Sequence, residues 1–220
     1  MARKYLERMY DRRDSIVFRK TKELFGGLSN MASGYPLLIN DTKILTSEAL
    51  YQACRFPHMP DIQIKIINEK SPMTAKMVSK PYRKESRADW DTIKVKIMRW
   101  CIRVKLAQNM EQFGDLLLST GNYPIVEESA KDSFWGAKPI DNYKLIGVNA
   151  LGRLLMEVRR EYNMLLTDKS YALKPPQIEN LLLLGEPIKS IYFTKQDIIK
   201  KEIYGFNIIQ QDISEQLSIF

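Results

Sequence analysis

The sequence predicts an α+β fold, predominantly helical, forming a single compact domain with a small C-terminal appendage. Three observations carry this. DWDTIKVKIMRWCIRVKLAQN (89–109) places Trp90, Ile93, Ile97, Cys101 and Val104 at spacings of three and four, which makes one apolar helical face. LGRLLMEVRREYNML does the same near residues 150–165, with Leu151, Leu154, Leu155 and Val158 facing inward. Between the helical stretches stand only short strand-like runs, in mixed order.

In chain order, SIVFRK (15–20) reads as a short strand. YPLLIND and TKILTS (35–47) read as a hairpin turning at Asn40-Asp41, two residues that tolerate turn backbone. Ser47 is expected to cap the helix SEALYQACRF, with Glu48 in its first turn. A second helix is expected over roughly 61–70. Ser71-Pro72, a cap followed by proline at the first helical position, opens a third. Asp89 is expected to cap the long helix. A short helix follows around Gly114, then a strand in YPIVEES (123–129), then the last helix. Lys174-Pro175-Pro176 cannot continue a helix and marks a boundary. Residues 1–170 are expected to form the main domain and 177–220 the appendage, a small strand-helix cap or a contact surface in LLLLGEPIKSIYF and TKQDIIKKEIYGF.

The totals bound the chemistry. A chain of 220 residues, 45% hydrophobic and 27% charged, builds a core without staples. Two cysteines and one histidine argue against a disulfide framework or a Cys/His metal site. Cys54 and Cys101 are expected as buried free thiols, and no cofactor is implied. No apolar run approaches the ~20 residues of a membrane span. The charged MARKYLERMYDRRD lacks a secretory apolar run, so a cytoplasmic location is expected. The net charge of +8 favours polyanionic partners: nucleic acid, nucleotides or phosphorylated sugars.

Several residues invite a chemical reading. Lys94 lies at the edge of the long helix's apolar face, one turn from Trp90 and Ile97. Desolvation there favours the neutral, nucleophilic amine; a lysine snorkelling from the helix flank is the plain alternative. Glu48 is either a plain capping residue stabilised by the first-turn dipole or an acid facing a pocket. Asp132, in the odd stretch SAKDSFWGAK (129–138), is either a turn former or an acid facing a pocket. In GVNALGRLLMEVR (147–159), a glycine-flanked turn feeds a helix whose first amides can hold a phosphate. Arg55, Lys80, Arg83 and Lys84 are either phosphate contacts or solvated surface charge.

Order along the chain says more than any one residue. FGGLSNM (25–31), SEALYQACRF (47–56), W(x)3K(x)3M (90–98), LLLSTGNYPIVEES (116–129), KDSFWG (131–136) and GVNALGRLLMEVR (147–159) follow one another in a succession that resembles the NADAR family, the group that includes the riboflavin-biosynthesis-intermediate N-glycosidase. The resemblance covers roughly 18–162. It implies an N-glycosidase acting on nucleotide or ADP-ribose-type substrates: removal of ADP-ribose from guanine in DNA, or cleavage of phosphoribosylated intermediates of riboflavin synthesis. It also implies catalytic roles for Glu48, Lys94 and Asp132, and substrate-binding roles for Ser29, Asn30, Arg55, Trp135, Gly136, Gly147 and Asn149. Two positions depart from the pattern: Ala49 stands where the family often has histidine, and Arg55 where it often has lysine.

The residue types suit the reaction. Breaking an N-glycosidic bond develops positive charge at the ribose C1′ and negative charge on the departing base, which calls for two carboxylates, here Glu48 and Asp132 in unassigned order. A Lys94 amine forming a Schiff base with ring-opened ribose is the other route. Trp135 offers a stacking face beside Gly136, with Phe134 expected to turn away and anchor the loop. The rival reading from a different class is a non-catalytic ADP-ribose-binding module, its activity lost with Ala49.

Overall fold

The computed structural model describes residues 5–165 and 170–194. At its centre lies α1 (Ser47–Ala53), all seven of whose residues are buried. α2 (Pro60–Ile67), α3 (Pro72–Ser79) and α4 (Trp90–Gln108) pack around it, and its two long polar side chains, Glu48 and Gln52, hydrogen-bond to each other. Trp90, Ile93, Ile97, Cys101 and Val104 of α4 are all buried, as the periodicity requires. A short α5 (Asp115–Leu118) follows a single π turn. The last long helix, α6 (Ala150–Leu165), packs on α4 and sets Leu151, Leu154, Leu155 and Val158 into the same core.

The strands are short and grouped in small sheets. Strands β1 (Arg8–Asp11), β7 (Lys144–Gly147) and β6 (Lys138–Pro139) form an antiparallel trio in the order β1-β7-β6. β2 (Ile16–Phe18) pairs in parallel with β5 (Ile125–Glu127). β3 (Leu37–Ile39) and β4 (Thr42–Ile44) form the expected hairpin, with Asn40 and Asp41 at φ 47° and 60°. Both central residues of such a two-residue turn need positive φ, which asparagine and aspartate accept at low cost.

Three local expectations are corrected. Thr46, not Ser47, caps α1: its hydroxyl accepts from the Ala49 N–H, and Ser47 is already helical. Asp89 makes no side-chain cap on α4, because the Arg87 guanidinium takes both of its carboxylate oxygens. The second helix begins at Pro60 and stops at Ile67.

Residues 175–194 lie on the main body. β8 (Ser170–Leu173) pairs with β11 (Ile191–Thr194), and β9 (Leu182–Leu183) with β10 (Glu186–Pro187). Leu181, Leu183 and Ile188 are buried in the cluster that also holds α1 and α4. Almost all of TKQDIIKKEIYGF falls outside the described residues, as do residues 1–4 of the charged N-terminal stretch. Cys54 and Cys101 are both buried and free. Among the described residues, no helix is long and apolar enough to cross a membrane.

Candidate active site

A cavity of about 330 Å³ opens where α1, α3, β5 and the 129–136 loop meet. Its size is at the lower end of small-molecule sites. Glu48 stands on its wall, only 4% exposed. The first turn of the enclosed α1 carries it there, and neighbouring amides hold both of its oxygens. Asn30 Nδ2 donates to Oε2 at 2.6 Å, and Gln52 Nε2, one helical turn on, donates to Oε1 at 2.8 Å. Burial raises the Glu48 pKa; the Gln52 hydrogen bond, the charge of Lys76 and the Asn30 hydrogen bond pull the other way. Asn30 Oδ1 is buried without a partner among the described residues, which leaves an acceptor unspent on the wall.

Asn30 is itself held from below. Lys105 is fully buried on α4 and donates to the carbonyls of Gly27 at 2.6 Å and Ser29 at 3.1 Å. Its ammonium lies 4.2 Å from the Tyr35 ring centroid and 4.3 Å from that of Phe113, so aromatic faces replace a counter-ion. Burial pulls the Lys105 pKa well down. Ser29 is buried, and its hydroxyl accepts from the Met31 N–H.

Glu127 and Asp132 line the same cavity. Burial first, then the charges of Asp132 and Glu48, push the Glu127 pKa up to about 7. At neutral pH this carboxyl therefore populates both forms. Asp132 Oδ1 accepts from the amides of Phe134 at 2.8 Å and Trp135 at 2.9 Å, a side-chain turn that shapes the loop while the carboxylate borders the cavity. The raised Glu127 value has a consequence for stability. The folded protein holds this proton more tightly than the unfolded chain between the ordinary 4.5 and about 7, so stability falls as pH rises through that window. Urea denaturation is expected to show Glu127→Gln gaining on wild type by up to about 3 kcal/mol between mildly acidic and mildly alkaline buffer; a constant difference would contradict the burial of this carboxyl.

The aromatic pair in SAKDSFWGAK finds its place here. Trp135 borders the cavity and stands edge-on to Tyr51, with centroids 5.8 Å apart. Phe134, perpendicular to Trp135 at 5.1 Å, packs against the core and meets Tyr5. The row continues through Tyr51 to Trp90 at 5.1 Å and ends under the Arg55 guanidinium, 4.3 Å from the Trp90 centroid. Arg55, Arg83, Lys76 and Arg19 line the cavity and give it a cationic side.

Other candidates are placed elsewhere. Lys94 is not among the lining residues: its ammonium donates to Asp91 at 2.8 Å and sits 5.0 Å from the Phe134 centroid. Asn149 is wholly buried and spent on backbone, accepting from the Glu127 N–H and donating to the Ile125 carbonyl. The amides of Val148, Asn149, Ala150 and Leu151 donate to the carbonyls of Ser133, Gly136, Phe134 and Trp135. The turn before α6 is thus occupied by the chain itself, which corrects its reading as a phosphate cradle. Gly136 and Gly147 serve close packing. A Cβ on Gly136 would fall 2.5 Å from the Glu127 carbonyl, and one on Gly147 2.5 Å from the Gly136 carbonyl. Lys80 and Lys84 are not among the lining residues, and Ala49 is fully buried in the core.

The sequence reading missed Gln52, Lys76, Lys105 and Glu127 as site residues. Gln52 sits at i+4 from Glu48, and Glu127 shares a strand face with buried Ile125 two residues earlier, so both carried a signal. Lys105 falls four residues after Cys101 on the apolar face of α4. Lys76 carried none. Among the described residues, no cluster of three His, Cys, Asp or Glu side chains is arranged to hold a metal.

One mixed α+β domain thus brings the buried Glu48, the half-buried Glu127 and the exposed Asp132 to a single cavity with Trp135 and four cations. The NADAR domain model matches residues 17–163, and the chain belongs to the NADAR family. It is 34% identical over 155 residues to N-glycosidase Npun_R5314 of Nostoc punctiforme, covering 70% of this chain and 96% of that protein. Against N-glycosidase YbiA of Escherichia coli K12 it is 33% identical over 149 residues, covering 67% and 89%. The riboflavin biosynthesis protein VVA0006 of Vibrio vulnificus is 35% identical over 159 residues; the match spans 69% of this chain but 41% of that longer protein. The NMR structure of E. coli YbiA superposes with a TM-score of 0.59 at 32% identity, covering 69% of this chain and 86% of the other. The protein is an N-glycosidase, a hydrolase.

Proposed function

We propose that the protein hydrolyses the N-glycosidic bond between ADP-ribose and guanine, acting on ADP-ribosylated DNA and so reversing that modification as an antitoxin does. The observation that carries this is that Glu48 and Glu127 line one cavity together with Trp135 and the cations Arg19, Arg55, Lys76 and Arg83. Neutral Glu127 protonates the departing base as the C1′–N bond breaks. Water, positioned by the Glu48 carboxylate, delivers hydroxide to C1′ and leaves its proton on Glu48. Base and ADP-ribose are the balanced products. Trp135 stacks on the base, a contact worth about 1–3 kcal/mol. The cationic side takes the diphosphate, and Asn30 Oδ1 accepts from a ribose hydroxyl. The net charge of +8 favours the DNA form of the substrate over a free metabolite.

The lysine placed for a Schiff-base route is Lys76, on the cavity wall, rather than Lys94, whose ammonium is paired with Asp91. Borohydride added during turnover is then expected to trap an adduct on Lys76, and Lys94→Arg to keep activity within about threefold. An adduct on Lys94 would reverse the assignment.

A second reading takes a phosphoribosylated riboflavin intermediate as substrate. Relatives named for riboflavin biosynthesis, in Vibrio vulnificus and in Zea mays, favour it. Incubation with an oligonucleotide carrying ADP-ribosylguanine, and separately with the riboflavin intermediate, decides: base release from the first alone supports the proposal, from the second alone the rival. Binding without product supports a non-catalytic module.

A further inference from the structure

The segment after Lys174 lies outside the matched domain yet reaches toward the cavity rim through one arginine. The Arg87 side chain is only 9% exposed, and all three of its guanidinium nitrogens donate. It grips both oxygens of Asp89, at 2.6 and 3.1 Å, and donates to the carbonyls of Glu179 at 2.6 Å and Asn180 at 3.3 Å. Two other clamps fix the same segment. Gln63, wholly buried, donates to the Ala53 and Leu182 carbonyls and accepts from the Leu184 N–H. Asn40 donates to the Pro187 carbonyl and accepts from the Lys189 N–H.

On its inner side, Arg87 holds the rim. Its backbone N–H donates to the Arg55 carbonyl at 3.0 Å. Its neighbour Ser86 accepts from Arg55 Nη1 at 3.3 Å and donates to the Arg83 carbonyl at 2.7 Å. Two cavity cations therefore hang from residues 86 and 87. Arg55 Nε is buried with no partner among the described residues, a donor left over on a guanidinium already fixed over Trp90. A planar donor fork is useful to a phosphate only if its plane is set beforehand.

We infer that residues 179–189 act as a brace which, through Arg87, sets the plane of Arg55 for the anionic part of the substrate, with Arg87 as a positioning residue. This rests on reading the cavity as a site for a phosphorylated ribosyl substrate. The lysine in Arg87→Lys keeps the charge but cannot hold Asp89 and two carbonyls in one plane.

The test is calorimetric titration of the full chain with ADP-ribose and with ribose 5-phosphate. Wild type is expected to bind at least one. Arg87→Lys should weaken that binding about tenfold, an effect that shrinks below twofold when Arg55 is already Met, because partners acting through one group are not additive. KM rises accordingly, while kcat changes less than twofold. Asn40→Gly, which suits the positive φ and releases residues 187–189, should weaken binding two- to fivefold in a protein that melts normally. Unchanged affinity in both folded variants, or an equal Arg87→Lys effect with and without Arg55, overturns the brace. Binding of neither probe by wild type overturns the site reading, and the brace with it.

Discussion

Glu48→Gln is expected to lower kcat about 10³-fold while leaving the protein folded. The magnitude follows from the role: a positioned carboxylate that moves a proton in the transition state contributes about 10²–10⁴. Glutamine keeps the volume but cannot take the proton from water. Its amide would also confront the amide groups of Asn30 and Gln52, which both donate to Glu48. The lost hydrogen bond and the relief of burying a charge act in opposite directions, so urea denaturation at neutral pH should give a stability close to wild type. The loss should appear in kcat and kcat/KM together, the mark of an interaction made in the transition state. A loss below tenfold would mean that Glu48 is a structural acid.

Gly152→Ala is expected to be the most damaging single methyl in the domain. A Cβ there would stand 2.1 Å from the Ile125 carbonyl and 2.6 Å from both side-chain polar atoms of Asn149. Neither neighbour yields easily, since one is backbone and the other is the buried staple that ties Ile125 and Glu127 to the start of α6. Overpacking of this kind costs about 3 kcal/mol, or roughly 6–12 °C in Tm for a chain of this size. Because β5 carries Glu127, the displacement should also lower kcat in whatever fraction folds. Gly34→Ala is the control: its φ is +92° and nothing lies within 4 Å, so backbone strain alone should cost about 1 kcal/mol. Equal losses at the two positions would deny the close approach of α6 to β5.

Much of this architecture was legible because local signals agreed with the global fold. The apolar stripes of α4 and α6, the Asn40-Asp41 turn and the Ser71-Pro72 start each rest on residues within a few positions of one another. What failed involved competition from polar partners, near in the chain or far from it, that a single-residue pattern does not weigh. Asp89 looks like a cap until Arg87 takes its carboxylate. The start of α6 looks like a phosphate cradle until the carbonyls of 133–136 occupy its amides. Periodicity placed Lys94 at the edge of a buried face, but helical angle alone does not say which cavity that edge borders, and Asp91 lies within reach. The converging carboxylates were half visible: Glu48 and Asp132 stand in recognisable motifs, whereas Glu127 becomes an acid only through its burial beside both.

The central claim, that the cavity holding Glu48 and Glu127 cleaves the base–ribose bond of an ADP-ribosylated guanine, is tested most directly by one assay. Wild type and Glu48→Gln are incubated with an oligonucleotide bearing that adduct, and free ADP-ribose is measured over time. Wild type is expected to release it stoichiometrically, faster below about pH 7 where Glu127 is protonated, and Glu48→Gln about 10³-fold more slowly. No release by wild type, or equal release by both proteins, would contradict the account.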